Sequence, residues 1–253
     1  MYFPVENQAC GHTDRIGAIS TTRAGGVSPQ PFDSLNLGFH VGDDPANVQQ
    51  NRRRLREVVK EKFGDELQFC WLSQVHGTKV VDASEVLAAG NPVEADASFS
   101  RTPGVACAVM TADCLPVLLW DKDATVVASA HAGWRGLADG VVEATVDAME
   151  VDPAQIFAWL GPAIGPDVFE IGAEVREAFL ATDEGAAHCF GPSPFNDDRW
   201  VADLYELARR RLRRLDVESI WGGEFCTYAD AARFFSYRRD GQTGRMATAI
   251  WLR

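Results

Sequence analysis

The spacing of apolar residues along this chain predicts several amphipathic helices. Asp44 followed by Pro45 is typical of a helix start, and apolar residues then recur at helical spacing until Gly64. Asp203 is the expected N-cap of a second, basic helix with an apolar inner face. Residues 21–40 are dense in Gly, Pro, Ser and Asn, which predicts a long ordered loop rather than a helix or strand.

Two apolar stretches in the middle of the chain predict buried strands. Residues 104–120 are almost continuously apolar and are interrupted by Asp113 and Cys114, which indicates a strand broken by a bulge or turn. A shorter strand over residues 125–130 leads into His131 and a Gly-Trp-Arg-Gly turn before an amphipathic helix. Functional sites are often built where strands end in polar turns, so both breaks are candidate site segments.

The end of the chain is predicted to form a β-hairpin, with strands over residues 234–238 and Met246–Leu252. Strands and helices follow one another without a regular strand-helix-strand rhythm, which predicts an α+β layered fold. No internal repeat or linker interrupts the chain, so we expect a single domain over residues 1–253.

Composition narrows the partners and the compartment. The chain is 46% hydrophobic and 24% charged, which is ordinary for a folded protein. Its formal charge of -12 argues against nucleic acid or an anionic membrane as the main partner. The first 22 residues show no signal-like apolar core, and no apolar run is long enough for a bilayer, so a cytoplasmic protein is expected. The six scattered cysteines are predicted to be reduced.

Three polar segments combine imidazole or thiol groups with glycine or strand-breaking residues: 74–77, 113–116 and 131–136. They contain His76, Cys114 and His131. Two imidazoles and a thiolate suit zinc and leave one tetrahedral position open, as in catalytic zinc sites. The spacing of the three residues matches no local metal motif. The alternative that they are hydrogen-bonded polar residues and a buried thiol, with no bound metal, therefore stays open.

A second alternative uses two of the same residues as a nucleophile and its base. Cys114 activated by His131 would perform acyl transfer, although no Asn or Asp that orients the histidine is identifiable from the sequence. Asp113 is expected to have a structural role unless the backbone turns there. Arg135 precedes a helix and is either a phosphate-binding residue or an ordinary surface residue.

Short blocks in a fixed order connect these segments to a known family. The blocks are Thr22-Arg23, Gly25-Gly26-Val27-Ser28, Ser34-Leu35-Asn36-Leu37-Gly38, Val41-Gly42-Asp43-Asp44, Asn51-Arg52, Gln74-Val75-His76-Gly77, Ala112-Asp113-Cys114-Leu115-Pro116, His131-Ala132-Gly133-Trp134-Arg135-Gly136, Cys226-Thr227-Tyr228, Phe234-Phe235-Ser236-Tyr237-Arg238-Arg239-Asp240-Gly241 and Thr243-Gly244-Arg245. Together they resemble the laccase-domain family, also described as polyphenol-oxidase-like or multicopper-oxidase-like. The resemblance spans nearly the whole chain.

The resemblance implies a zinc-dependent purine nucleoside phosphorylase with adenosine deaminase activity. It implies that His76, Cys114 and His131 are both the metal ligands and the catalytic residues. The implied fold is a layered α/β/β/α domain with mixed sheets, similar to deamidating toxin domains that use a Cys and a His. The expected ligands are a nucleoside and phosphate, bound by residues that we predict to be Asn36, Arg52, Arg135 and Arg238.

Two departures from the family pattern bear on the site. Ala163 stands where the family often has a cysteine, which removes an auxiliary thiol. Phe225 stands where a basic residue often precedes the Cys-Thr-Tyr block, and Arg238 and Arg245 are the residues that could substitute for it.

Three other functions remain open from the sequence. One is editing of peptidoglycan precursors, an amide hydrolysis by activated water or by Cys114. Another is copper-dependent phenol oxidation, which is disfavoured because five histidines are too few for a blue-copper site and a trinuclear cluster. Copper could nevertheless enter a zinc site adventitiously. The third is a non-catalytic regulatory protein that keeps a metal for stability. The chain is expected to be a monomer or a homodimer.

Overall fold

Two mixed β-sheets form the centre of the fold. The computed structural model describes residues 2–4, 15–91 and 93–253. Within them the strands are β1 (Tyr2–Pro4), β2 (Ile16–Thr21), β3 (Gln68–Trp71), β4 (Val80–Asp82), β5 (Ala97–Ser100), β6 (Val105–Thr111), β7 (Leu115–Asp121), β8 (Val127–Ala132), β9 (Ile156–Leu160), β10 (Glu170–Ile171), β11 (Phe190–Pro192), β12 (Trp200–Ala202), β13 (Ser219–Gly222) and β14 (Met246–Leu252).

The helices lie mainly on the outer faces of these sheets. They are α1 (Pro45–Phe63), α2 (Ala83–Ala89), α3 (Trp134–Asp139), α4 (Val141–Ala148), α5 (Ala173–Leu180), α6 (Leu204–Arg213) and α7 (Tyr237–Asp240). No helix in the described parts of the chain is both long enough and apolar enough to cross a membrane.

The sheets differ in size and in the direction of their strands. The five-stranded sheet has the order β1-β2-β14-β6-β3 and the six-stranded sheet the order β13-β9-β7-β8-β5-β4. Parallel pairs occur at β3–β6, β4–β5 and β9–β13, and the other pairs are antiparallel. A small antiparallel sheet, β10-β12-β11, lies apart from the two large ones.

Alternating side chains of the central strands separate the core into layers. On β6 and β7, Cys107 and Leu118 lie in the core between the two large sheets. The neighbouring Ala106 packs in a second core together with Leu55 of α1. Leu119 packs in a third core with residues of α3, α4, α5 and α6. Because each strand buries both faces, its sequence is continuously apolar. The layers are α/β/β/α, which confirms the predicted α+β fold.

The polar break in residues 104–120 is the point where the chain passes between the sheets. β6 belongs to the five-stranded sheet and β7 to the six-stranded sheet. Between them Asp113 adopts a left-handed conformation with φ 88°, which turns the chain within one or two residues. The predicted turn is confirmed, and the residues on either side of it prove to be separate strands.

The predicted ends of the first helix are confirmed. The Asp44 side chain accepts a hydrogen bond from the Ala46 amide, Pro45 is the first helical residue, and Gly64 ends α1 in a left-handed conformation. All five cysteines in the described residues are free, as predicted, whereas Cys10 lies outside the described residues.

The predicted C-terminal hairpin is wrong, although its second strand, Met246–Leu252, is confirmed as β14. Residues 237–240 form α7, capped by the Ser236 hydroxyl, which accepts a hydrogen bond from the Arg239 amide. Phe234 and Phe235 are both fully buried, whereas a strand would send neighbouring side chains to opposite faces. β14 instead lies in the middle of the five-stranded sheet, between β2 and β6.

Candidate metal centre and active site

The three predicted ligand segments meet at one end of the sheets. His76 lies in the loop after β3, Cys114 directly precedes β7, and His131 is the fifth residue of β8. Pairing of β7 with β8 brings Leu115 opposite Ala132, so Cys114 and His131 are near neighbours. The ligand atoms of the three side chains all lie within 4.8 Å of one another, and Cys114 Sγ is 3.8 Å from His76 Nε2.

These distances and donor types fit zinc. A tetrahedral zinc ion places a thiolate sulfur and an imidazole nitrogen about 3.6 Å apart, close to the separation of Cys114 and His76. The His76 and His131 rings meet edge to face, with centroids 4.8 Å apart. Two imidazoles and one thiolate would leave a fourth position for substrate or water.

Asp96 positions two of the three candidate ligands, and sequence reasoning did not identify it as a site residue. Its buried carboxylate accepts hydrogen bonds from the amides of Val75, His76 and Gly77 at 3.2, 2.9 and 2.7 Å. Its Oδ1 is also 2.8 Å from His131 Nδ1. An imidazole that donates from Nδ1 to a carboxylate presents Nε2 to a metal or to a reacting group. Asp96 is therefore the orienting residue of His131 that could not be identified from the sequence.

The backbone around the ligands is unusually constrained. His76 has φ 62°, a left-handed conformation that is uncommon outside glycine, and the three amides bound by Asp96 stabilise it. Gly133 is the N-cap residue directly before α3, and a Cβ at this position would lie 2.9 Å from His76 Cδ2 and 3.0 Å from Cys114 Sγ. Only glycine leaves room for both ligands in their present positions.

Charge interactions favour the thiolate form of Cys114. Burial raises the pKa of the Cys114 thiol, but the facing His131 and His76 outweigh burial and lower it to about 6. Burial likewise lowers the pKa of His131, and the Cys114 sulfur and Asp96 together raise it to about 9. The sulfur is thus prepared to act either as a metal ligand or as a nucleophile.

The three ligands lie in the wall of a cavity of about 350 Å³. Its described lining residues are His40, Gln74, His76, Met110, Thr111, Ala112, Cys114, His131, Tyr237 and Arg245. This volume is within the usual range for small-molecule sites, about 300–1,000 Å³. His40 and Tyr237 were not predicted as site residues, and Arg245 was considered only as a substitute for a missing basic residue.

Arg245 and His40 add polar groups on another wall of the cavity. Burial lowers the pKa of His40, and Arg245 lowers it further, so that His40 is neutral at neutral pH. The Arg245 guanidinium donates to the carbonyls of Thr243 and Gly244. The cavity therefore combines the His-Cys-His group with one half-buried cation and one neutral imidazole.

The four predicted substrate-binding residues do not line this cavity. Asn36 is fully buried and supports the wall, because its Oδ1 accepts from the amides of Gly38 and Arg245. Arg52 donates two hydrogen bonds to the Leu37 carbonyl.

The other two arginines are exposed. Arg135 lies over the Trp134 ring at 4.4 Å, and the Arg238 guanidinium donates to the Glu170 carbonyl. Direct contact of any of the four residues with a substrate stays a prediction.

Asp113 links the cysteine turn to the end of the chain. Its carboxylate accepts a hydrogen bond from the Thr227 hydroxyl at 2.6 Å and from the Arg238 amide at 2.7 Å. These bonds fix the start of α7 and hence the position of Tyr237 at the cavity. These contacts agree with the structural role expected for Asp113. The backbone also turns at this residue, which was the stated exception to that expectation.

Comparisons with known proteins agree with this architecture. A purine nucleoside phosphorylase of Pseudomonas aeruginosa is 54% identical over 238 residues, which cover 94% of each chain. The purine nucleoside phosphorylase YfiH of Escherichia coli is 52% identical over 240 residues, again 94% of each chain. A crystal structure of a Neisseria meningitidis protein, 48% identical, superposes with a TM-score of 0.90 over 99% of this chain and 98% of the other.

The family comparison covers all three candidate ligands and every strand of the two large sheets except β1 and the first residue of β2. The profile of the family described as multi-copper polyphenol oxidoreductase laccase matches residues 17–253. The predicted resemblance is thereby confirmed: the chain belongs to the multi-copper polyphenol oxidoreductase laccase family.

Proposed function

We propose that this protein is a zinc-dependent purine nucleoside phosphorylase with adenosine deaminase activity. The observation that supports this best is the His76–Cys114–His131 group in the wall of a nucleoside-sized cavity that also holds the Arg245 cation. The names of the Pseudomonas and Escherichia relatives support phosphorolysis as the main reaction. Zinc as the metal, and deamination as a second reaction, are the finer parts of the proposal.

Phosphorolysis requires a phosphate oxygen to attack the sugar C1′ atom while the bond from C1′ to the purine nitrogen breaks. The purine takes the bonding electron pair and must be stabilised or protonated as it leaves. Zinc bound at the site would supply a Lewis acid that stabilises developing negative charge and lowers the pKa of water for deamination.

The chain's own residues account for binding and proton transfer. Arg245 faces the cavity and would attract the phosphate dianion, whose negative charge offsets the burial of the guanidinium. Neutral His40 lines the same cavity and can hold or transfer one proton. Asp96 keeps the His131 ring in one orientation, and the Tyr237 ring at the mouth offers a surface on which a purine can stack.

A second candidate function rests on Asp96. The order Asp96, His131, Cys114 is that of a carboxylate, a base and a thiol nucleophile, and the lowered pKa of Cys114 suits this use. Such a group would hydrolyse an amide, as in editing of a peptidoglycan precursor. Copper-dependent phenol oxidation has less support, since the described residues offer one three-ligand group and a multicopper oxidase needs several metal ions.

Product analysis tests the proposal. Adenosine and inosine should give free base and ribose 1-phosphate only when phosphate is present, and adenosine should give inosine without phosphate. Arg245→Gln should raise the KM for phosphate at least tenfold, because a charge-assisted hydrogen bond is lost. Arg213→Gln serves as a matched control, because it changes an exposed arginine of α6 that does not line the cavity. No base release with any nucleoside would contradict the proposal.

Two further expectations accompany the proposal. A cytoplasmic location is consistent with the free cysteines of the described residues. Monomer or homodimer stays a prediction.

A further inference from the structure

A second cleft lies on the other side of the short turn Phe39–Val41, beside α1. Its volume is about 270 Å³, and its described lining residues are Phe39, Gln49, Arg52, Arg53, Arg56 and Trp71. Positions 49, 52, 53 and 56 are spaced by three or four residues, so they share one face of α1. We call this feature the α1 cleft. The catalytic cavity has a different set of lining residues.

The α1 cleft concentrates positive charge in a chain whose net charge is -12. Among the described residues, no carboxylate lies within ion-pair distance of Arg52, Arg53 or Arg56, whereas Arg210 and Arg211 elsewhere each pair with an acidic side chain. Neighbouring guanidinium groups repel one another, and an acidic chain would be expected to place carboxylates between them. Their absence favours an anionic ligand as the missing counter-charge.

Arg52 is held rigidly at the inner end of this cluster. Its guanidinium lies 4.6 Å from the Phe39 ring centroid and 4.0 Å from that of Trp71, and Nε and Nη2 both donate to the Leu37 carbonyl. Burial lowers the pKa of Arg52, and Arg56 lowers it further, to about 10. Arg52 thus remains charged at neutral pH, and a bound anion would offset both the burial and the repulsion.

Of the two aromatic side chains in the cleft, Phe39 rather than Trp71 supplies a stacking surface next to these charges. Trp71 stacks on Phe69 with centroids 5.5 Å apart and an angle of 14°, and Arg52 lies over its ring as well. Phe39 also contacts Arg52, yet its side chain is 43% exposed. An exposed aromatic ring beside fixed guanidinium groups matches a ligand that joins a planar heterocycle to a phosphate.

We infer that the α1 cleft binds a nucleoside 5′-phosphate, with the phosphate on Arg52, Arg53 and Arg56 and the base on the exposed part of Phe39. This site is separate from the proposed catalytic function and does not depend on it. The two sites are nonetheless adjacent: His40, next to Phe39, lines the catalytic cavity, and Arg52 Nη2 is 3.5 Å from the sulfur of Met110, which lines it too.

Calorimetric titration of the full-length, zinc-loaded protein with adenosine 5′-monophosphate tests the inference directly. Arg53→Gln and Arg56→Gln should each weaken binding about tenfold or more, because each removes a charge-assisted contact. Lys62→Gln is the matched control: it removes one positive charge from an exposed position of α1 outside the cleft, and binding should change less than twofold. Adenosine turnover should stay unchanged in all three variants.

Ribose 5-phosphate and inorganic phosphate separate the contribution of the base from that of the phosphate. Both should bind more weakly than the nucleotide. Phe39→Leu should weaken binding of the nucleotide and leave the affinity for ribose 5-phosphate unchanged.

The inference would be overturned if adenosine 5′-monophosphate did not bind detectably, or if the wild type and both arginine variants bound it with equal affinity. It would also be overturned if Lys62→Gln weakened nucleotide binding as much as the arginine variants do, or if ribose 5-phosphate bound as tightly as the nucleotide.

Discussion

Replacing Asp96 by asparagine isolates the role of the one buried carboxylate that joins two candidate metal ligands. In the wild type, Oδ1 accepts from the His76 amide and lies against His131 Nδ1, while Oδ2 accepts from the amides of Val75 and Gly77. Asparagine retains one acceptor oxygen and replaces the other by an NH₂ group, which would face two N–H donors in either orientation.

The size of the effect follows from these contacts. Two charge-assisted hydrogen bonds are lost, at about 1.5–3 kcal/mol each, so metal-free Asp96→Asn should lose about 3–6 kcal/mol of unfolding free energy. Its zinc affinity should fall about 10–100-fold, because His131 and the loop that carries His76 lose their common support.

Urea unfolding in the presence of a chelator and zinc competition titration measure the two effects separately. Asp121→Asn is the matched control, since Asp121 is also buried and accepts from the Thr125 and Val126 amides at the other end of β7. Asp121→Asn should lose only about 1–2 kcal/mol of unfolding free energy, because the Thr125 hydroxyl can rotate and accept a hydrogen bond from the new amide group. Its zinc affinity should equal that of the wild type. Wild-type zinc affinity in Asp96→Asn would refute the assigned role of Asp96.

Three further predictions concern other parts of the chain. The bidentate hydrogen bonds from Arg210 lower the pKa of Asp183, so their stabilising effect is complete above the unfolded-state pKa of about 3.9 and disappears as the pH falls through the lower folded-state pKa. The gap in unfolding free energy between the wild type and Asp183→Asn, about 1–2 kcal/mol at pH 7, should therefore narrow as the pH falls below the unfolded-state pKa; a gap that does not narrow in acid would disprove this. Gly133→Ala should lower zinc affinity at least tenfold, measured by competition titration, because the methyl group displaces His76 or Cys114; unchanged affinity would contradict the packing argument. Thermal melts with and without reductant should coincide, because the described cysteines are free, and a large drop in Tm on reduction would indicate a disulfide.

Local sequence signals were sufficient for parts of the fold. The Asp44 cap, Pro45 and Gly64 act through neighbouring backbone atoms, so the bounds of α1 could be predicted correctly. The apolar run over residues 104–120 also revealed buried strands and the turn between them. The two strands belong to different sheets because β6 pairs with β14 and β7 pairs with β8. No local sequence pattern specifies these pairings.

The candidate site was predictable only in part. Family motifs pointed to His76, Cys114 and His131, which the structure brings together. Asp96 lies 35 residues from His131 and 20 from His76, and a single acidic residue before a strand carries no local signal of its partners. Arg52, Arg135 and Arg238 were predicted to bind substrate because they lie in family motifs. The arginine that lines the cavity is instead Arg245, whose amide donates a hydrogen bond to Asn36, 209 residues away.

Zinc removal and reloading test the central claim most directly, because the proposed function makes Cys114 a metal ligand and the alternative makes it a nucleophile. Matched metal-free and zinc-reloaded samples would be assayed with adenosine, with inosine plus phosphate and with a muramyl amino-acid precursor, and Cys114 would be examined by mass spectrometry. We predict about one zinc per chain, loss of nucleoside turnover on removal and recovery on reloading, with faster alkylation of Cys114 in the metal-free protein. Full activity of the metal-free protein together with a covalent substrate adduct on Cys114 would contradict the account.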